Sequence, residues 1–136
     1  MKHFLGAPAL FCLVGCSTVV PNQGEPVAEQ NPSGFLIQAS ATDFYQHTGK
    51  SIRFRGVRLG YEVNSESVKQ FLMCGEFMPL DAGSNGTWSR FATIKTEPYE
   101  QWLGAQASGM CDRTSIVWED QEDLSGRLQN AFDALR

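Results

Sequence analysis

Apolar and polar residues alternate most regularly in the segment SIRFRGVRLGYEV, residues 51–63. The alternation slips by one residue at Gly56 and then continues. A one-residue slip at a glycine inside a strand predicts a β-bulge. With that bulge, one face of the strand carries the apolar residues Ile52, Phe54, Val57, Leu59, Tyr61 and Val63. The other face carries the arginines Arg53, Arg55 and Arg58.

Three further segments also predict strands. VKQFLMCGEFMPL (68–80) is apolar on both faces in its middle, as expected of a central strand. WSRFATIK (88–95) follows a loop with an Asn-Gly turn at Asn85-Gly86. Because the connections between these segments are short, the first three strands should form an antiparallel meander. RTSIVWE (113–119) predicts a fourth strand.

Helical spacing is clearest at the C-terminus, where one face would carry Leu124, Leu128, Ala131, Phe132 and Leu135. A shorter helix is predicted after Pro98, ending near Gly109. The segment FLIQASATDFYQHTG (35–49) leaves two readings open, a short strand over 35–37 or one helical turn capped by Thr42. Together these patterns predict an α+β fold, a small antiparallel sheet of about four strands packed by the C-terminal helix.

The N-terminus is predicted to be a processing segment. MKHFLGAPALFCLVGC starts with a basic residue and continues with an apolar run, 4–14, that is too short to span a bilayer. Its end, Leu13-Val14-Gly15-Cys16, resembles the lipobox of bacterial lipoproteins. The resemblance implies cleavage of signal peptide 1–15, a diacylglycerol on Cys16 and often a further acyl chain such as palmitate. The alternative is an ordinary signal peptide with a chance cysteine.

The residues after Cys16 predict a tether. Residues 17–34 contain three prolines and two glycines and few apolar side chains, so they cannot bury enough surface to fold. As a random coil they would span about 20–25 Å. Serine rather than aspartate at position 17 implies, by the lipoprotein resemblance, the outer membrane, with the domain facing the periplasm. The predicted organisation is therefore signal peptide 1–15, lipidated cysteine and tether 16–34, and one domain over 35–136.

Two cysteines, Cys74 and Cys111, remain unmodified after that processing. A pair of cysteines in an exported domain predicts a disulfide bond, here from the second strand to the start of the fourth. The alternative is a redox or nucleophilic thiol. No Cys-x-x-Cys motif supports that alternative, and His47 is the only histidine beyond the signal segment.

Composition and motifs argue against several classes of function. The formal net charge of −4 argues against nucleic acid as a partner and against electrostatic adhesion to anionic lipid. With one histidine and paired cysteines we expect no metal site, and without a phosphate loop or a Gly-x-Ser-x-Gly elbow we expect neither a cofactor nor a catalytic triad. The carboxylates Glu62, Glu76, Glu97 and Glu100 could supply an acid–base pair, but their spacing selects no two of them.

Two groups of residues are candidates for binding. Arg53, Arg55 and Arg58 could hold an anion or a partner, since arginine binds carboxylate and phosphate bidentately. The alternative is a solvent-exposed face paired with acids such as Glu62 and Glu76. Trp88, Tyr99 and Trp102, with Arg90 and Arg113 as companions, could form a partner patch. Their alternative role is core packing.

The segment MCGEFMPLDAGSNGTWSRF (73–91) is similar to a strand–loop–strand element of small exported proteobacterial domains of unknown function, which implies no activity. It lacks their Asn-rich and Gly-Gly-Tyr elements. We therefore expect a membrane-anchored lipoprotein with a non-catalytic binding or accessory domain and an envelope protein as partner. The alternatives are an inhibitor of an envelope-attacking hydrolase such as lysozyme, whose Ser-Gly-x-x-Tyr motif is absent here, and a carboxylate-dependent hydrolase.

Overall fold

The computed structural model describes residues 31–81, 86–119 and 123–136. In chain order these form α1 (Pro32–His47), β1 (Ile52–Val63), β2 (Lys69–Pro79), β3 (Ser89–Lys95), β4 (Tyr99–Leu103), α2 (Ala105–Cys111), β5 (Val117–Trp118) and α3 (Ser125–Asp133). The predicted signal peptide and lipobox, the tether as far as residue 30, and Asn85 of the Asn-Gly turn lie outside the described residues.

The strands form a single antiparallel sheet in the order β4-β3-β2-β1-β5. The α+β fold and the meander of the first three strands are confirmed, with five strands instead of about four. The register between β1 and β2 shifts between Arg55 and Arg58, which confirms the bulge. Gly56 lies in that shift with φ of 59°, a backbone conformation that favours glycine.

Helix α1 resolves the two readings of its segment in favour of a helix, but one of sixteen residues rather than one turn. It starts at Pro32, three residues before the predicted domain start, because the Asn31 side chain accepts a hydrogen bond from the Gly34 N–H at 3.2 Å. The buried face of α1 includes the polar Ser40, so the sequence shows only a weak helical spacing of apolar residues in this segment. The short strand over 35–37 is therefore wrong.

Helices α1 and α3 cover one face of the sheet and enclose the main core. Phe44 of α1 is fully buried, and its ring centroid lies 5.1 Å from that of Phe54, 4.9 Å from Phe77 and 5.2 Å from Phe91. Phe132 of α3 packs against Phe54 at 5.6 Å. The predicted C-terminal helix is confirmed, and these aromatic contacts join it to β1 and α1.

The other face of the sheet is covered at one end by α2. A second buried cluster there consists of Leu72, Cys74, Ala92, Ile94, Ala107, Cys111 and Ile116. The disulfide between Cys74 and Cys111 is confirmed, with a sequence separation of 37. It joins β2 to the last residue of α2, because Cys111 ends that helix instead of starting a strand.

The predicted helix after Pro98 is wrong over residues 99–103, which form β4 and pair with β3. Only Ala105–Cys111 is helical. The predicted fourth strand is reduced to Val117–Trp118, the edge strand β5. A Cβ on Gly60 of β1 would lie 2.7 Å from Ile116 Cγ2, so glycine at position 60 allows this segment to approach β1 closely.

Candidate functional site

Helix α2 covers only one end of its sheet face, and no other described helix covers the opposite end. In the strand register, Arg53 of β1 lies opposite Met78, and Arg55 lies opposite Glu76, which in turn lies opposite Arg90. Cross-strand partners share a face of the sheet. We define the arginine face as Arg53, Arg55, Arg58, Glu76, Met78, Trp88 and Arg90. The predicted arginine stripe is therefore part of a surface that three strands build.

Arg55 is held by two contacts at the centre of this face. Its Nε lies 3.2 Å from Glu76 Oε1 and its Nη2 lies 3.4 Å from Glu76 Oε2, a two-point ion pair. Its guanidinium also lies 4.0 Å above the ring of Trp88. The three side chains therefore order one another although they are half-exposed.

Arg58 is ordered in a different way. Its guanidinium lies 3.8 Å above the ring of Trp118, which β5 places beside β1. Within the described part of the chain, neither Arg58 nor Arg53 forms an ion pair. Neither donates a hydrogen bond to another described residue, so in this part of the chain their donors are available to a ligand.

A shallow depression of about 260 Å³ lies between Arg58 and Arg90. Its described lining consists of Gly56, Arg58, Cys74, Gly75, Glu76 and Arg90, and so includes one cysteine of the disulfide. Arg90 donates from Nη1 to Asp112 Oδ1 at 2.8 Å, which holds it at the edge of the depression.

The arginine face is cationic on an acidic protein. Within the described ranges, two carboxylates contact its four arginines, Glu76 and Asp112, which leaves a formal charge of +2. The whole chain carries −4. This separation of charge creates a local potential that attracts anionic groups.

The structure does not bring the three predicted aromatic residues together. Trp88 lies on the arginine face, whereas Trp102 packs on the second buried cluster. Tyr99 lies on the opposite side of β4, where its hydroxyl donates to Asp43 Oδ1 of α1 at 2.9 Å. Burial, and then the Asp43 carboxylate, raise the pKa of Tyr99. Residues three apart face opposite sides of a strand, so Tyr99 and Trp102 would share a face only on the predicted helix.

The companion arginines also separate. Arg90 lies on the arginine face, but Arg113 donates to Glu62 Oε1 at 2.9 Å. Ser115 Oγ donates to Glu62 Oε2 at 2.6 Å. The Ser115 hydrogen bond and the Arg113 charge lower the pKa of Glu62 against the opposing effect of burial. A low pKa keeps this carboxyl ionised, the opposite of what a proton-donating acid needs.

The remaining titratable candidates are dispersed. Glu76 pairs with Arg55, as the solvent-face alternative predicted, but Glu62 pairs outside the stripe. Glu97 and Glu100 are exposed in the β3–β4 hairpin, and His47 is exposed at the end of α1. The described residues contain no group of three or more His, Cys, Asp or Glu that could hold a metal ion.

The sequence analysis named Arg90 only as a companion of the aromatic patch and did not name Trp118, which contacts the arginine face through Arg58. Arg90 had a signal, because a strand over 88–95 places it on the same face as Trp88. Trp118 had none, since it reaches Arg58 only through the pairing of β5 with β1.

No family model matches this chain, and comparison with curated proteins and with solved structures finds no match. No helix within the three described ranges is long and apolar enough to cross a membrane.

Proposed function

We propose that this chain is an outer-membrane lipoprotein, anchored through acyl chains on Cys16, whose non-catalytic domain binds a protein of the bacterial envelope. The observation that carries the binding role is the arginine face, whose four arginines include two that stack on tryptophans, Arg55 on Trp88 and Arg58 on Trp118. Arginine and tryptophan are the residues most enriched among those that dominate protein interfaces.

The contacts within the face support this role. Arg55 on Trp88 and Arg58 on Trp118 are already ordered, so a partner would not have to immobilise them. Ordering long side chains on binding costs affinity, and a preformed arrangement reduces that cost. The surplus positive charge would also raise the rate of encounter with an acidic partner.

The anchor is supported by the lipobox-like residues 13–16 and by the start of the fold. Because Asn31 caps α1, the proposed tether between the lipidated cysteine and the domain would comprise residues 17–30. A flexible chain of that length spans about 20 Å, enough to hold the domain close to the membrane and leave it free to turn. Two or more acyl chains are needed for stable attachment.

The anchor is tested by the intact mass of the mature chain, with and without reductant, beside a Cys16→Ser variant. We expect a chain that begins at Cys16, carries acyl groups there and gains two hydrogens on reduction. A chain without acyl groups that keeps the mass of residues 1–15 would contradict the lipoprotein proposal.

The binding role is tested by photo-crosslinking in cells of the source organism. A photo-reactive residue at position 53 lies on the arginine face, and one at position 127, on the exposed side of α3, serves as control. We expect an adduct of defined mass from position 53 alone, lost when Arg58→Glu is added. The same adducts from both positions, or none from position 53, would argue against this surface as the interface.

A further inference from the structure

Arg58 lies at the wall of the depression, and its guanidinium N–H groups have no hydrogen-bond acceptor among the described residues. Trp118 holds the guanidinium plane at 3.8 Å, which leaves the N–H groups at its edge free of the ring. No carboxylate among the described residues pairs with it. A planar group with fixed, unpaired donors is suited to a ligand that accepts two hydrogen bonds in one plane.

The other charged groups around the depression are already engaged. Both oxygens of Glu76 accept from Arg55, and Glu76 forms no ion pair with Arg58 in the described residues. Arg90 uses Nη1 for Asp112, and no other described residue accepts from its guanidinium. Two guanidinium groups with spare donors therefore border one depression.

The charge of this group of residues indicates the charge of its ligand. Among the described residues, the charged lining consists of Arg58, Arg90 and Glu76, with a formal charge of +1. Arg55 and Asp112, which contact this lining, carry opposite charges and leave the sum unchanged. A carboxylate, with a charge of −1, would balance it. A phosphate monoester carries about −1.5 to −2 at neutral pH and would leave excess negative charge beside Glu76.

The size of the depression indicates that its ligand is a group no larger than one side chain. Its volume of about 260 Å³ lies below the roughly 300–1,000 Å³ typical of small-molecule pockets. It is also open and continuous with the arginine face, so the group that enters it can belong to a larger partner.

We infer that the depression binds one carboxylate of an acidic side chain, Asp or Glu, presented by the partner protein, with Arg58 as the main contact and Arg90 as the second. This inference rests on the proposed function and names the chemistry of its partner. The charge complementarity and the unpaired donors of Arg58 support an acidic protein surface as occupant.

The test is a titration of the full mature chain in micelles of a neutral detergent, followed by the NMR signals of the arginine Nε–H groups. The probe is N-acetylglutamate amide, and the neutral N-acetylglutamine amide is its matched control. We expect saturable shifts of the Arg58 and Arg90 signals at millimolar probe. Affinity should fall about tenfold or more in Arg58→Gln and stay unchanged in Arg127→Gln.

Arg58→Lys separates charge from geometry, because lysine keeps the charge but lacks the planar pair of donors. We expect it to bind more weakly than the native chain. Shifts that do not saturate, or that the glutamine probe reproduces, would overturn the inference. Tighter binding of inorganic phosphate than of the glutamate probe would overturn the assignment to carboxylate.

The two proposals fail in different ways. If the glutamate probe does not bind while the crosslink from position 53 persists, the carboxylate site is wrong and the binding role of the arginine face stands. If the crosslink is also absent, the proposed function fails with it. The dispersion of the amide spectrum of each variant reports whether it has folded.

Discussion

Gln129 of α3 completes the hydrogen bonds of the strand that carries the arginine face. Its side-chain amide accepts from the Phe54 N–H at 3.2 Å and donates to the Ile52 carbonyl at 2.9 Å. Among the described residues, β5 pairs with β1 at Gly60 and Tyr61. The start of β1 therefore has β2 on one side and no described strand on the other. The helix therefore satisfies, with one side chain, two backbone groups that a neighbouring strand would otherwise pair.

Gln129→Met tests this account, because methionine has a similar length and similar helix propensity but forms neither bond. The variant also removes the donation from Gln129 Nε2 to Asp133 Oδ1 at 3.1 Å, an exposed bond that water replaces and that contributes little. An unsatisfied buried donor or acceptor costs about 1–3 kcal/mol. Since Gln129 is only part-buried and water can replace some of the lost bonding, we expect a loss of about 2 kcal/mol for the two bonds together.

The measurement is equilibrium urea unfolding under non-reducing conditions, followed by tryptophan fluorescence. The midpoint should fall while the slope with urea stays constant, because the surface exposed on unfolding is the same. Arg127→Gln, an exposed position of α3 where the two residues have nearly equal helix propensity, is the control and should change stability by less than about 0.5 kcal/mol. A Gln129→Met variant as stable as the control would refute the edge-bonding account.

Two further predictions concern the disulfide and the contact between β4 and α1. Replacing Cys74 and Cys111 together by alanine should destabilise the fold by about 4 kcal/mol, the value that the chain-entropy model gives for a sequence separation of 37. Urea unfolding measures this change, and a loss of stability under about 1 kcal/mol would contradict the prediction. The raised pKa of Tyr99 means that the folded state favours the protonated form of this side chain. Its contribution to folding stability is therefore complete below the unfolded pKa of about 10 and is lost as the pH rises through the folded pKa. In an alkaline absorbance titration one tyrosine should titrate late, and Asp43→Asn should move it toward the others; no change in Asp43→Asn would exclude the carboxylate as a cause.

The residue pattern within a segment was sufficient to predict those features that depend only on neighbours in the chain. The bulge at Gly56 could be predicted because side chains alternate with a period of two, so a slip in parity has one structural meaning. The pairing of Cys74 with Cys111 followed from the number of cysteines left after processing. For the same reason Arg53, Arg55 and Arg58 were placed on one face, and the helix over 125–133 was placed by its apolar spacing.

Local pattern failed where a distant partner decides. Pro98 and the i, i+3 spacing of Tyr99 and Trp102 are compatible with a helix, but residues 99–103 have β3 beside them and pair with it. At the start of α1, proline and glycine indicate a flexible chain. Asn31 caps the helix there, and contacts of its buried stripe with the sheet stabilise it beyond what its residues favour alone.

The sequence by itself determined the α+β class, the meander, the disulfide and the arginines of one strand face, because each depends on parity, spacing or residue count. Only the tertiary structure decided what those arginines contact. Trp118 reaches Arg58 from 60 positions along the chain, and Asp112 holds Arg90 from 22 positions away. Such contacts depend on which strands become neighbours and which end of the face α2 covers, and no periodicity within one segment encodes that.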